Sequence, residues 1–587
     1  MFKLILNNMN KKKSPAIVII IALIVLQVFL ELRIPEYMTE ITTLLNGVDG
    51  KMNEIIFAGL KMIACAIGAM ASAVVVGYIV ARMSSDIAQN LRNKVFCKVQ
   101  SFSSNEIKKF STASLITRST NDINQIQMFI SMGLSSLIKA PILAVWAIVK
   151  IAGKSYQWTI ATVVAVSFLI LTVGILTIFV VPKFKKLQTQ TDDMNRVVRE
   201  NLTGIRVVRA YNAENYQTNK FEKINSELAN TTMSACRIMA MISPVMSAIM
   251  SFLPLSIYWI GAYLINNAHA TSKLTIFSDM VVFSSYAIQV VMAFVLLIVV
   301  FIMLPRAAVS SKRVNEVLST KSSITDGAGV SISPNMKGVV EFKNVSFKYL
   351  DADEYVLNNV SFDCKQGEMV AFIGSTGSGK STLINLIPRF YDATSGEVFV
   401  DGENVKDFKL EDLRQRIGYV SQKAILFTGT VISNVAFGGN DQKPTEKDVE
   451  NAVDLSQSKE FVSKMEYGLN SSISQGGKNV SGGQKQRLSI ARALAKNPEI
   501  IIFDDSFSAL DFKTDKALRQ ALNKNMNKAT ILVVAQRIGT IKDADKIVVL
   551  DEGKIVGIGK HKDLLKNCSV YKEIALSQYS EEELDEE

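Results

Sequence analysis

The sequence predicts an all-α membrane domain of six spanning helices with long cytoplasmic helical extensions, followed by an α/β domain. Three observations carry this reading. The first 304 residues hold six apolar stretches close to the ~20 residues a helix needs to cross a bilayer. From Val339 the pattern changes to short β-branched and aromatic runs (VVEFKNVSF, MVAFIG, EVFVDG, IIIFDD, TILVVA, KIVVL) alternating with helix-like stretches. One of those runs leads straight into the glycine-rich string GSTGSGKST at 374–382.

Composition narrows the function classes. Hydrophobic residues make up 48% of the 587, high for a chain that is also 20% charged, as expected when a membrane portion is joined to a water-exposed one. The net charge of +11 is not gathered into an arm or an aromatic-interleaved stripe, so nucleic acid is not expected as a partner. The five cysteines (Cys65, Cys97, Cys236, Cys364, Cys568) show no C-x-x-C pair, and only His269 and His561 could help them, so neither a disulfide framework nor a cysteine/histidine metal site is expected.

The six spans fall at about 15–34, 54–81, 128–152, 157–182, 239–266 and 280–304. Lys11, Lys12 and Lys13 before the first run would suit a signal peptide, but ELRIPEY follows with no small-residue cleavage pattern, so an uncleaved helix is expected. Segments 82–127 and 183–238 are long and basic and 35–53 is acidic, which puts the long segments, the N-terminus and everything after 304 in the cytoplasm. The resulting division is a membrane domain at 1–320, a Gly/Ser/Pro-containing linker at 321–337, an α/β domain at 338–578 and an acidic, solvated tail at 579–587. Lys139 and Glu31 are expensive inside hydrocarbon and are expected to face the bundle interior or reach toward water. Met233, Met239, Met241, Met246 and Met250, with Phe252, Tyr258 and Trp259, suit either an adaptable apolar cavity or lipid-facing and packing positions.

The string at 374–382, between a strand and a helix, has the context of a phosphate-binding loop. Gly374, Gly377 and Gly379 let backbone N–H groups turn inward, Lys380 supplies a charge to phosphate, and Ser381 a hydroxyl to Mg²⁺. Ser375, Thr376, Ser378 and Thr382 complete the loop. Asp504, ending the apolar run IIIFD, fits the carboxylate that holds the same Mg²⁺.

VSGGQ at 480–484 (Val480, Ser481, Gly482, Gly483, Gln484), followed by KQRLSIARAL, narrows the choice. With the loop at 374–382, Gln422 in VSQ, IIIFD at 500–504 and SALD at 508–511, the chain resembles the ATP-binding cassette (ABC) exporter half-transporters, six spans fused to one α/β phosphate-loop ATPase domain. FSSNEIKKFSTASLITRSTNDI and ENLTGIRVVRAYNAE resemble their cytoplasmic docking loops. The resemblance implies ATP and Mg²⁺ as cofactors, Tyr349 as the ring that stacks on adenine, and Gln422 as the sensor of Mg²⁺ and water. It also implies that 480–484 closes over ATP bound by the opposite subunit, and that Asp511 belongs to the D-loop. The implied location is a cell membrane, of the bacterial inner or plasma type, with the ATPase domain in the cytoplasm.

Two positions depart from that pattern. Asp505 stands where the family has its glutamate base, and one methylene less withdraws the carboxylate by about 1.5 Å. A displacement near 1 Å can cost ~10²-fold in rate. Gln536 replaces the switch histidine, which the resemblance implies would contact the γ-phosphate, and an amide can still donate one hydrogen bond but cannot carry a proton or a charge. The expectation is a degenerate-site subunit of a heterodimeric bacterial multidrug-type exporter. Its unlike partner would carry the Walker B glutamate and switch histidine, and its substrates would be apolar or amphipathic. A homodimeric lipid or peptide flippase, or an ATP-gated regulatory subunit moving no cargo, are the competing expectations.

Overall fold

The computed structural model describes residues 4–5, 14–45, 52–152, 155–330, 337–350, 352–438, 443–526 and 528–580. Lys11, Lys12 and Lys13, residues 331–336 of the linker and residues 581–587 of the acidic tail lie outside them. The chain divides into two units, one of Met1–Val99 with Ala113–Thr320 and one of Gln100–Thr112 with Lys321–Glu587.

In the first unit six helical segments are long and apolar enough to span: Pro15–Leu44, Met52–Gln100, Thr112–Ile151, Tyr156–Thr203, Glu214–Asn267 and Lys273–Ser319. The helix Met52–Gln100 has 49 residues. At 1.5 Å per residue it is about 75 Å long, more than twice the ~30 Å of bilayer hydrocarbon. Such lengths supply the long cytoplasmic extensions. The third segment is irregular, with a π-helical turn at Phe129–Gly133 before the helix Leu134–Ile151. A Cβ at Gly133 would lie 2.9 Å from the Phe129 ring.

Several charges in this unit are paired. Lys139 donates to Glu31 Oε1 at 2.9 Å, and Gln27 Nε2 donates to the same oxygen at 2.9 Å. Ser131, Ser135, Ser136, Gln27 and Lys139 form the polar part of a cavity of about 250 Å³ whose remaining wall, including Ile24, Val76, Val80 and Leu296, is apolar. Farther along the chain, the buried Asp122 accepts from Ser310 Oγ at 2.9 Å and faces Arg313 Nε at 3.3 Å, while Arg118 reaches Glu316 at 2.7 Å. These ties lock the third segment to the sixth. Of the methionine and aromatic residues singled out above, Trp259, Phe252, Tyr258, Met233, Met239 and Met241 are exposed in the single chain, and Met246 and Met250 are half-buried. Tyr258 borders a cavity of about 390 Å³ with Asn266, Lys273 and Phe277.

The second unit is built on twelve strands among its described residues: β1 (Val340–Phe347), β2 (Leu357–Cys364), β3 (Met369–Gly374), β4 (Ser395–Val400), β5 (Glu403–Asn404), β6 (Ile417–Val420), β7 (Gly429–Thr430), β8 (Ser472–Ile473), β9 (Ile500–Asp504), β10 (Thr530–Val534), β11 (Lys546–Asp551) and β12 (Lys554–Gly559). The main sheet runs β12-β11-β3-β10-β9-β6, parallel except for the edge strand β12. A four-stranded antiparallel sheet, β2-β1-β4-β5, stands beside it. Successive side chains of a strand point to opposite faces. Accordingly Ile501, Phe503, Ile531 and Val533 enter one core, and Ile500, Ile502, Leu532 and Val534 the other. Both faces are covered, so β9 and β10 are buried at every residue and read as unbroken apolar runs.

Two short segments join this unit from outside the α/β sequence. Ser103 caps the helix Ser104–Phe110, and the buried Glu106 carboxylate accepts from Ser103 N at 2.8 Å and Ser323 N at 3.1 Å. The described part of the linker is likewise bonded to the unit, Gly327 N to Phe408 O and Gly329 N to Asp407 O, each at 2.9 Å. Its polar composition therefore serves backbone pairing along a surface.

The Glu31 and Lys139 pair supplies a prediction. Removing one partner strands a charge at membrane depth. Lys139→Met or Glu31→Gln alone should each lower stability by roughly 1–3 kcal/mol, with the double change costing less than their sum. Thermal unfolding in detergent measures this, and strictly additive losses would contradict it.

Candidate functional site

The loop at 374–382 leaves the C-terminal end of β3 and enters the helix Lys380–Leu386. Gly374 has φ +156, and a Cβ there would run into Leu550 O. Gly379 adopts φ +95, and a Cβ would sit 2.8 Å from Val356 O. Only glycine takes such conformations with neighbours this close. Ser375, Thr376 and Gly377 form the exposed tip, while Ser378 and Lys380 are buried beneath it. The Lys380 ammonium donates to Gly374 O at 2.8 Å, Ser375 O at 2.7 Å and Ser378 Oγ at 3.2 Å. Burial pushes its pKa down, against the pull of Asp505 and Asp504.

Ser381 Oγ donates to Asp504 Oδ1 at 2.7 Å, joining the helix after the loop to the end of β9. Tyr419 on β6 lies behind, its hydroxyl 3.0 Å from Asn385 Oδ1 and 3.4 Å from Asp504 Oδ2. Burial pushes the Asp504 carboxyl above its ordinary range, and the bonds from Ser381 and Tyr419 offset this only in part. A hydroxyl beside one carboxylate fits Mg²⁺, which keeps several waters and takes its remaining ligands from substrate phosphate. No group of three or more His, Cys, Asp or Glu able to hold a metal occurs among the described residues.

Asp505, next along, is buried and holds φ +47. Its backbone N donates to Val534 O at 3.0 Å. Gln422 Nε2 at 3.2 Å and Gln536 Nε2 at 2.8 Å both donate to its Oδ2. The two departures from the family pattern thus meet, one shortened carboxylate bound by two neutral amides. Neither histidine joins them: His561 is buried with Nδ1 on the Tyr571 hydroxyl at 2.7 Å, and His269 precedes the helix Ala270–Ser319 of the first unit.

Tyr349 stands at the other end of the loop, its hydroxyl 3.0 Å from Thr382 Oγ1. Lys108 lies over it, Nζ at 4.4 Å from the ring centroid. The sequence gives no sign of this neighbour, because the two residues are far apart in the chain. Tyr419 and Asn385 were missed for the same reason.

Val480 is buried, and Ser481 caps the helix Gly482–Ala495 in a reciprocal box with Gln484. Ser481 N donates to Gln484 Oε1 at 2.9 Å, and Ser481 and Gly482 are exposed. Gly483 is half-buried. From the same helix Gln486 Nε2 donates to Ser421 O at 3.2 Å, beside Gln422. Asp511 caps the helix Phe512–Asn525 by accepting from Thr514 N at 3.0 Å.

Residues 17–294 match the ABC transporter transmembrane region, and residues 357–508 match the ABC transporter family. The chain is 37% identical over 522 residues to an uncharacterized ABC transporter ATP-binding protein of Mycobacterium tuberculosis, covering 89% of this chain and 87% of the relative. The chain belongs to the ABC transporter family. It is also 35% identical over 531 residues to the uncharacterized ABC transporter ATP-binding protein YfiB of Bacillus subtilis, covering 89% of this chain and 90% of that one. With the ATP-dependent lipid A-core flippase of Syntrophus aciditrophicus it shares 32% identity over 509 residues, covering 85% and 82% respectively. A bacterial Atm1-family ABC exporter with ATP bound has the same fold, with TM-score 0.79 at 22% identity over 97% of this chain and 99% of that one. This ABC half-transporter is a multi-pass membrane protein with a cytoplasmic ATPase domain, and ABC exporters work as dimers.

If Asp504 and Ser381 hold Mg²⁺, Asp504→Asn should raise the Mg²⁺ concentration for half-maximal ATP binding by at least about tenfold, roughly the worth of one charge-assisted contact. Titration of fluorescent ATP binding against Mg²⁺ checks this, with Mg²⁺-free binding expected to change much less.

Proposed function

We propose that this half-transporter is the weakly hydrolytic member of an unequal pair, retaining ATP at its own loop and lending its signature segment to the hydrolytic site of a partner. The observation that carries this is the Asp505 cluster. A general base must reach the attacking water with an ionised group whose proton affinity suits the step. Here the carboxylate is one methylene short, and one of its oxygens accepts from both Gln422 and Gln536. The groups for binding are retained: Lys380 under the loop, Ser381 with Asp504, and Tyr349 at its rim.

In this reading Ser481, Gly482 and Gly483 close over ATP held by the partner, which supplies the Walker B glutamate and switch histidine. Gln422 senses Mg²⁺ and water, and Asp511 acts at the dimer seam. Substrates are apolar or amphipathic. The cavity lined by Lys139, Gln27 and three serines offers a polar headgroup a seat at membrane depth. A homodimeric flippase is the second reading, favoured by the relatives named as lipid A-core flippases.

The two readings differ in asymmetry. In the reconstituted pair, Ser481→Ala or Gly482→Asp should reduce ATP turnover by roughly 10²-fold, the scale for lost transition-state donors. Asp505→Ala should cost less than about tenfold, below the worth of a positioned base. Equal losses, or robust turnover by the chain alone that Asp505→Asn abolishes, would favour the homodimer.

A further inference from the structure

The loop that carries Gln536 is gripped by a residue from the far C-terminal end of the ATPase unit. Gln578 Nε2 donates to Gln536 O at 2.7 Å, and Gln578 Oε1 accepts from Ile538 N at 2.8 Å. One side-chain amide thereby pairs with the backbone on both sides of Arg537, as a neighbouring strand would. Ile538 opens the helix Ile538–Ile541, so its N–H has no partner within that helix. One residue on, Tyr579 leans on the same loop: a Cβ at Gly539 would sit 2.7 Å from its hydroxyl.

The grip has a rigid base. Gln578 follows the helix Ser569–Leu576, whose Tyr571 and Ala575 are fully buried. Tyr571 is further held by its hydroxyl bond to His561 Nδ1 at 2.7 Å. Past the helix, Gln578 N and Tyr579 N both bond to Ala575 O at 3.0 Å, which fixes where the amide points. On its other side the switch loop hangs from β10, where Ala535 N donates to Phe372 O at 3.2 Å. Gln536 is therefore held from both directions, with its own amide on Asp505.

We propose that Gln578 is a positioning residue for the γ-phosphate end of the nucleotide site, acting through Gln536. An exposed loop samples many backbone conformations, and holding its backbone at 536 and 538 fixes where the Gln536 side chain starts before nucleotide arrives. The proposal concerns how Gln536 is held, and stands whether or not this site hydrolyses ATP.

The test uses the full-length transporter, with its partner, in lipid nanodiscs. Release of methylanthraniloyl-labelled adenylyl imidodiphosphate, a triphosphate that is not cleaved, is timed against release of the equally labelled ADP. Gln578→Ala should speed triphosphate release roughly three- to tenfold, the worth of one or two hydrogen bonds, and leave ADP release within about twofold. In a Gln536→Ala background Gln578→Ala should add little, because the side chain that Gln578 positions is already gone. Gln578→Glu, which keeps an acceptor for Ile538 N but turns a carboxylate toward the Gln536 carbonyl, should behave like alanine. Equal acceleration of both nucleotides would show a merely structural role. Unchanged triphosphate release, or effects of Gln578→Ala and Gln536→Ala that simply add, would overturn the proposal.

Discussion

The parallel pairing of β3, β10 and β9 is the constraint from which the site follows. Val534 aligns with Phe372 on one side and Asp504 on the other, so these strands end at nearly the same level of the sheet. Three loops must therefore leave side by side: the glycine-rich loop after Phe372, the Asp504 and Asp505 turn, and the segment bearing Gln536. No one of them is a site alone. The hydrogen bonds between Asp505 N and Val534 O and between Gln536 and Asp505 join the neighbouring ends of β9 and β10, and the bond from Ser381 to Asp504 reaches past β10 from the helix after β3 to the end of β9. In an open parallel sheet the crevice beyond the strand C-termini is where ligands bind.

Within that frame the chemistry is decided by few atoms. Two carboxylates adjacent in sequence are treated differently: Asp504 faces a hydroxyl and a phenol, and Asp505 faces two amides. The first arrangement suits a metal carboxylate. The second binds a carboxylate at one oxygen with neutral donors, leaving no histidine in the cluster to move a proton or carry charge. On the proposed reading, such a site holds nucleotide in preference to cleaving it, and a dimer containing it can bias its conformational equilibrium through the state that ATP prefers.

Much of this was legible in the sequence, for identifiable reasons. Spans and buried parallel strands write themselves as unbroken apolar runs, and the loop at 374–382 is explicit because its backbone admits glycine at Gly374 and Gly379. What was not legible depends on long-range placement. Lys139 and Glu31 were recognisable as costly in hydrocarbon, but their pairing joins helices distant in sequence. The segment Gln100–Thr112 resembled a docking loop in the sequence, but the bond from Ser323 to Glu106 within the ATPase unit joins residues too far apart in the chain to be read there. Gln578 stands beside a polar tail and matches no pattern. Only the fold shows that its amide meets the switch loop.

The central claim is that this site keeps its nucleotide while another turns over. The most direct measurement traps the working complex during steady-state ATP hydrolysis and identifies the nucleotide at each composite site. The account predicts intact ATP at the Lys380 site while the partner's site shows ADP. ADP at the Lys380 site as often as at its counterpart would contradict it.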